Sequence, residues 1–251
     1  MAKRSARRQS RRSNEPRHFQ EADNIRRLFD EPQWSPVEEQ NRHQKYRKNI
    51  RPQNDTQAKL LDAIAEKPLT FAIGAAGTGK TFLAVAKAVE ALEAGDVRRI
   101  ILSRPAVEAG ESLGFLPGDM EEKLSPYLRP LYDALCDRIS SKRLKALLAE
   151  GVIEIAPIAY MRGRTLNNAY VLIDEAQNCT YGQLKMLLTR LGWNSSMVVT
   201  GDPEQSDLLN GLSGLKDIAD KLEGLERVGV VRFSGAEVVR HPLVADMIEV
   251  L

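Results

Sequence analysis

The sequence predicts an α/β fold, a parallel sheet with helices on both faces. Three observations predict it. From Arg51 onward, short apolar runs alternate with longer segments of helical period, the pattern of parallel strands joined by crossover helices. The first apolar run leads into a glycine-rich string that opens a helix. A later apolar run ends on two adjacent acids, and strand ends are where open α/β sheets bind ligands.

The elements follow in order. Residues 69–73 are short and apolar and read as the first strand. Lys80–Ala94 reads as a helix, with Phe82, Val85, Val89 and Leu92 on one stripe and Gly95 as a stop. Residues 99–103 read as a strand. Residues 119–149 read as helical, broken near Pro126 and Pro130. Residues 152–156, 170–173 and 197–200 read as strands. Between the last two, residues 183–191 carry Leu184, Leu187, Leu188 and Leu191 at helical spacing and stop at Gly192. Residues 208–222 read as a helix, 228–232 as a strand and 241–251 as a closing helix.

Composition bounds the function. The 251 residues are 43% hydrophobic and 28% charged, ordinary for a soluble globular protein. Two cysteines, Cys136 and Cys179, exclude a disulfide framework and read as buried or incidental thiols. No apolar run is long enough for a spanning helix, and no apolar core follows the basic N-terminus as in a secretory signal. A cytoplasmic protein without membrane contact is expected, in the host cytoplasm if phage-encoded. The net charge of +2 conceals an asymmetry: residues 1–50 sum to +6 and residues 51–251 to −4. Residues 1–50 hold too few apolar side chains to offset chain entropy. They read as a basic, mostly disordered arm, with a short helical piece over 21–30, ahead of one domain over 51–251. Such an arm attracts polyanions by counterion release, or serves as a solubilising tail.

Gly74-Ala75-Ala76-Gly77-Thr78-Gly79-Lys80-Thr81 matches the P-loop pattern G-x-x-x-x-G-K-[ST] in the required strand–loop–helix context. The glycines let backbone N–H groups curl around phosphate oxygens, and the helix N-terminus adds partial positive charge. Lys80 is placed to reach the β- and γ-phosphates of ATP, and the Thr81 hydroxyl to ligate Mg²⁺. The apolar strand ending in Asp174 and Glu175 supplies a second Mg²⁺ ligand, Asp174, and a general base, Glu175, to deprotonate an attacking water. The strand over 197–200 runs into Gly201-Asp202-Pro203-Glu204-Gln205. There Gln205 suits sensing of the γ-phosphate, because an amide both donates and accepts, with Thr200 and Asp202 supporting the shape. Gln57 sits where an adenine edge can be read, or is a surface residue at a helix start. Arg104, at a strand end, suits a nucleic-acid phosphate, a neighbouring subunit or a solvated loop position. Arg162 and Arg164 carry two cations on one small turn. Arg240 reads as a γ-phosphate cation or arginine finger, or as an ordinary ion pair.

The P-loop, the string from Ser103 to Asp119 with its Arg-Pro-Ala-Val-Glu-Ala-Gly-Glu core, the Tyr-Met-Arg-Gly-Arg-Thr-Leu string from Tyr160, Leu172 to Asn178, Thr200 to Gln205, and Val238 to Val244 together resemble the PhoH-like ATPases. The resemblance runs from about Pro52 to Leu251. It implies a P-loop NTPase with a RecA-like parallel sheet related to the first motor domain of superfamily 1 helicases. It implies parallels at Gln57 for adenine, Lys80 and Thr81, Asp174 and Glu175, Gln205, and Arg240 for the γ-phosphate. It also implies links to phosphate starvation and RNA metabolism, and ring-shaped, often hexameric, assembly. Many relatives carry a further folded N-terminal domain or a fused PIN-type nuclease, for which residues 1–50 are too short and polar, and no second RecA-like domain follows Arg240. The expectation is an Mg²⁺-dependent ATPase acting on RNA or single-stranded nucleic acid in an oligomeric ring. The alternatives are an ATP-dependent switch on a protein partner such as a ribonuclease or ribosome factor, and an RNA-binding protein with a regulatory ATPase.

Overall fold

The computed structural model describes residues 50–105, 120–209 and 211–239. The arm expected before Ile50, the 106–119 part of the resemblance, Arg240 and the helix expected over 241–251 lie outside the described residues. Everything described falls within one compact unit, Arg42–Leu251.

Six strands form a single parallel sheet: β1 (Leu69–Gly74), β2 (Arg99–Arg104), β3 (Ile153–Pro157), β4 (Ala169–Ile173), β5 (Ser196–Gly201) and β6 (Val228–Phe233). Their spatial order is β3-β2-β4-β5-β1-β6. Alternate residues along each strand face opposite layers, as the pleat demands. Ala72, Ile100, Leu102, Tyr170, Leu172 and Val198 face one core. Helices α1 (Asp55–Glu66), α2 (Lys80–Ala94), α3 (Met120–Cys136) and α4 (Ser141–Ala149) cover it. Phe71, Ile101, Val171, Ile173 and Val199 face the other core, under α5 (Tyr181–Leu188) and α6 (Leu215–Leu222). The chain therefore has the α/β P-loop NTPase fold with a RecA-like sheet covered on both faces.

The order of the strands places the site. β5 pairs with both β1 and β4, with Ile73 beside Gly201 and Ile173 beside Val199. The loop after β1 and the acids after β4 thus flank the end of β5 at one edge of the sheet.

Four expectations are corrected. α3 runs unbroken through Pro126 and Pro130, and the break falls after Cys136. Each proline forfeits one hydrogen bond, but Leu128, Leu131 and Leu135 are buried at helical spacing, and Pro130 lies on the exposed side. Packing outweighs the local cost. The helix expected over 208–222 is α6 alone. Gly211 is left-handed (φ +82°), and Ser213 instead bridges to Thr180. A Cβ on Gly214 would lie 2.4 Å from the Cα of Tyr181, so a side chain is excluded there. Phe82, assigned to the buried stripe of α2, is 43% exposed, while Leu83, Ala84, Val85 and Val89 are buried. The helix expected over 183–191 starts at Tyr181 because Thr180 and Gln183 form a capping box, and it closes at Leu188. The other strands deviate by a residue or two at their ends. Both cysteines are free, Cys179 buried and Cys136 partly so.

Candidate active site at the sheet edge

The phosphate loop grows from the end of β1. Gly74 has φ +136°, and a Cβ there would lie 2.1 Å from the carbonyl oxygen of Phe233 on β6. Only glycine lets the chain leave the sheet at that point. Gly79, also left-handed, is the N-cap of α2, so the first N–H groups of that helix open into the loop.

Lys80 begins α2 and is buried. Its Nζ donates to the carbonyls of Gly74 and Ala75, both at 2.7 Å, and to Thr78 Oγ1 at 3.2 Å. Burial pushes its pKa below the ordinary lysine range, against the opposing pull of Asp202, Glu175 and Asp174. Thr78 Oγ1 itself donates to Ala75 O. The loop is thus held in its curled shape by its own side chains, around a cation that can be redirected.

Asp174 is buried at the end of β4, and its Oδ1 accepts from Thr81 Oγ1 and Thr200 Oγ1, each at 2.6 Å. A hydroxyl and a carboxylate meeting beside a phosphate loop are hard oxygen donors. That set fits Mg²⁺, which is held by one or two protein oxygens plus substrate phosphates and not by a protein cage. Among the described residues no three His, Cys, Asp or Glu side chains group as a metal cluster.

Glu175 follows in the left-handed region (φ 53°). Its Oε1 accepts from Arg104 at 3.3 Å, and its Oε2 from Gln177 Nε2 at 2.5 Å. Arg104 also lies 4.0 Å from Asp174 Oδ2. Asp202 is buried beside the loop, accepting from Ala76 N at 3.0 Å and Glu204 N at 3.1 Å. Gln205 stands exposed at the rim. Ala76, Gly77, Gly79, Lys80, Thr81, Phe82, Asp174, Glu175, Gly201, Asp202 and Gln205 line one cavity of about 250 Å³. Nine of these eleven residues, all but Phe82 and Gly201, are ones to which the sequence assigns a role in the site.

Other expected site residues fall elsewhere. Gln57 is buried beneath the loop, donating from Nε2 to Thr78 O at 3.0 Å and accepting from Gln53 N at 2.8 Å. Its amide braces the loop, so reading adenine would require an exchange of partners. Arg164 forms a two-pronged pair with Glu154 of β3, at 2.5 and 2.7 Å. That pair holds the Glu154 carboxyl below its usual range, and Arg162 is exposed on the same turn. Arg240 is outside the described residues, but Val239 just before it donates its N–H to Gly77 O at 2.9 Å.

Sequence reasoning missed Gln177 and Asn178. Gln177 is buried and ties the Glu175 turn to the loop after β5: its Nε2 also donates to Gln205 O, and its Oε1 accepts from Asp202 N at 3.1 Å. Asn178 and Asp207 bond reciprocally, side chain to side chain and backbone to side chain. The signal was present as two amides one residue beyond the acidic pair, a position that faces the next strand's loop.

Comparison with known proteins agrees with this geometry. The family model described as PhoH-like protein matches residues 49–251. The chain belongs to the PhoH-like family. The PhoH-like protein of Bacillus subtilis (strain 168) is 55% identical over 203 residues, 80% of this chain and 64% of that protein. Protein PhoH of Escherichia coli (strain K12) is 51% identical over 193 residues, 76% of this chain and 54% of that protein. The chain thus spans less than two thirds of these PhoH relatives. The large terminase of a thermophilic bacteriophage overlays 79% of this chain and 50% of its own, at 13% identity and a TM-score of 0.49. No helix among the described residues is long and apolar enough to cross a membrane.

Proposed function

We propose that this PhoH-like protein is an Mg²⁺-dependent ATPase that hydrolyses ATP to ADP and phosphate. The observation that carries the reading is the convergence of Lys80, Thr81, Asp174 and Glu175 on one cavity at the edge of the sheet. Lys80 exchanges the carbonyls of Gly74 and Ala75 for β- and γ-phosphate oxygens, joined by N–H groups of the loop. Thr81 and Asp174 are the residues that would hold Mg²⁺, which would supply charge neutralisation at the phosphates. Glu175 takes the proton of the attacking water as the water oxygen bonds to the γ-phosphorus and the bridging oxygen leaves with ADP. Gln205 at the rim senses the γ-phosphate. Arg240 acts on the same phosphate, a role supported by the hydrogen bond from Val239 to Gly77. Gln57 braces the loop and exchanges partners to read adenine.

Hydrolysis is coupled to RNA or single-stranded nucleic acid. What supports this is the concentration of positive charge in residues 1–50 against a net negative remainder. The nucleotide cavity opens at the sheet edge, so a neighbouring subunit in a ring is the natural cover for it.

The test is nucleotide binding and turnover, with and without single-stranded RNA. Lys80→Ala should lose ATP binding, and Asp174→Ala should bind nucleotide but lose Mg²⁺-dependent turnover. ATP binding by Lys80→Ala at wild-type affinity would remove the loop from the mechanism. Turnover indifferent to RNA would move the coupling to a protein partner.

A further inference from the structure

Among the described residues, Arg104 is the one cation paired with both acids of the site that the proposed hydrolysis does not use. It ends β2, its side chain 21% exposed, and reaches Glu175 Oε1 at 3.3 Å and Asp174 Oδ2 at 4.0 Å. Glu175 stands between two cavities. One is the phosphate cavity, lined by Lys80, Thr81 and Asp174. The other is lined by Arg104, Gln177, Asn178, Ser206 and Asp207, with Glu175 and Gln205 shared between the two. Neither Arg104 nor Gln177 lines the phosphate cavity. Yet these are the residues that donate to the two oxygens of Glu175, one to each.

We infer that Arg104 is a positioning residue that competes with the attacking water for the Glu175 carboxylate, which borders both cavities, and so restrains the base. The inference rests on the reading of Glu175 as the general base. Its physical content is competition for one carboxylate. A charge-assisted hydrogen bond to a guanidinium keeps Oε1 occupied, and a base accepts a proton only from a water within hydrogen-bond reach. Gln177 holds only the other Glu175 oxygen, Oε2, and leaves Oε1 of Glu175 to Arg104. Arg104 therefore decides how often Glu175 is available, while Lys80, Thr81 and Asp174 decide how well nucleotide is held. The arrangement keeps idle hydrolysis low until the guanidinium is drawn off.

The experiment measures steady-state ATP turnover of the full chain without nucleic acid, for Arg104→Ala, Arg104→Lys, Glu175→Gln and the double variant Arg104→Ala/Glu175→Gln. With the latch removed, Arg104→Ala should raise kcat about two- to fivefold, the range set by a partly exposed ion pair, at unchanged KM. Arg104→Lys keeps the charge without the fork and should fall between wild type and Arg104→Ala. The double variant should match Glu175→Gln, because a latch has nothing to hold once the base is gone. A structural role alone would not raise kcat through Glu175. Should Arg104→Ala fail to fold, Arg104→Lys decides: faster than wild type supports the latch, slower overturns it. A fall in kcat for Arg104→Ala restored by Arg104→Lys also overturns it, making Arg104 a support of the base. An inactive Glu175→Gln beside Arg104 variants that do not accelerate marks failure of the latch alone. A Glu175→Gln variant as fast as wild type marks failure of the base assignment, and the latch with it.

Discussion

Glu175 shows what a single residue is asked to do in this site. A non-glycine residue at φ 53° costs about 1–2 kcal/mol of backbone strain. The strain is sustained because the apolar strand before it and the Ala176–Asn178 turn after it are both buried. Glu175→Gln keeps size and hydrogen bonding but cannot take a proton. It should bind ATP with near-normal affinity and turn over roughly 10²–10⁴ more slowly, the scale of general-base catalysis; equilibrium nucleotide titration beside steady-state turnover checks both halves. Cys179 is the opposite case, a reactive group silenced by its surroundings. Burial pushes its thiol up to about 12, so at pH 8 only about one molecule in 10⁴ carries the nucleophilic thiolate. Iodoacetamide at pH 8 should leave Cys179 unlabelled in the native protein and label it after unfolding, as peptide mass mapping will report. That Lys80, Thr81, Asp174 and Glu175 meet at one cavity was legible in the sequence, because the loop pattern after β1 and the acids ending the apolar run of β4 both fall at strand ends. Gln177 was not, because its partners, Asp202 N and Gln205 O, are distant in sequence and meet it only when β4 and β5 pair. The bracing role of Gln57 depends likewise on a partner 21 residues away.

At the scale of elements, the parallel strands were readable because strands buried on both faces are continuous apolar runs. The uncertain places were those where tertiary packing outweighs local preference. Pro126 and Pro130 signal a break by their own chemistry, yet α3 continues because its leucines are buried against the sheet. Residues 208–214 have helical spacing in the sequence, yet Ser213 and Gly214 are held against the start of α5. The N–H of Gly214 donates to Cys179 O at 3.0 Å, and Ser213 bridges to Thr180. Gly214 lies so close to Tyr181 that a Cβ would sit 2.5 Å from its backbone N. The atoms it would meet belong to backbone, so no side-chain rotation relieves the clash. Gly214→Ala should therefore destabilise by about 1–3 kcal/mol, the cost of overpacking a close-fitted site. A lowering of the thermal midpoint by several degrees in calorimetry is the expected readout. A midpoint unchanged within error would mean that α5 and the loop before α6 move apart at little cost.

For the molecule as a whole, the charge distribution carries the argument about partners. The net charge of +2 is the sum of +6 over residues 1–50 and −4 over the rest. Uniformly spread charge of that size would attract nothing in particular, whereas a concentrated basic segment releases several counterions when it meets one polyanion. Lys3, Arg4, Arg7, Arg8, Arg11 and Arg12 are six cations within twelve residues, without an acid among them. Deleting residues 1–12 tests whether those charges bind nucleic acid. Affinity for single-stranded RNA should then fall for all sequences alike, since phosphates are common to every sequence. The slope of log K against log salt should shrink by about 0.7 for each phosphate that the shortened chain no longer neutralises. ATP turnover without RNA should stay at the wild-type rate, because Lys80, Thr81, Asp174 and Glu175 all belong to the sheet edge. Binding isotherms by fluorescence anisotropy over a series of salt concentrations give the slope directly. An unchanged slope would assign RNA binding to the folded domain and leave the first twelve residues a solubilising tail. A smaller slope with intact basal turnover would separate holding nucleic acid from hydrolysing ATP, and would place the two on different parts of the chain.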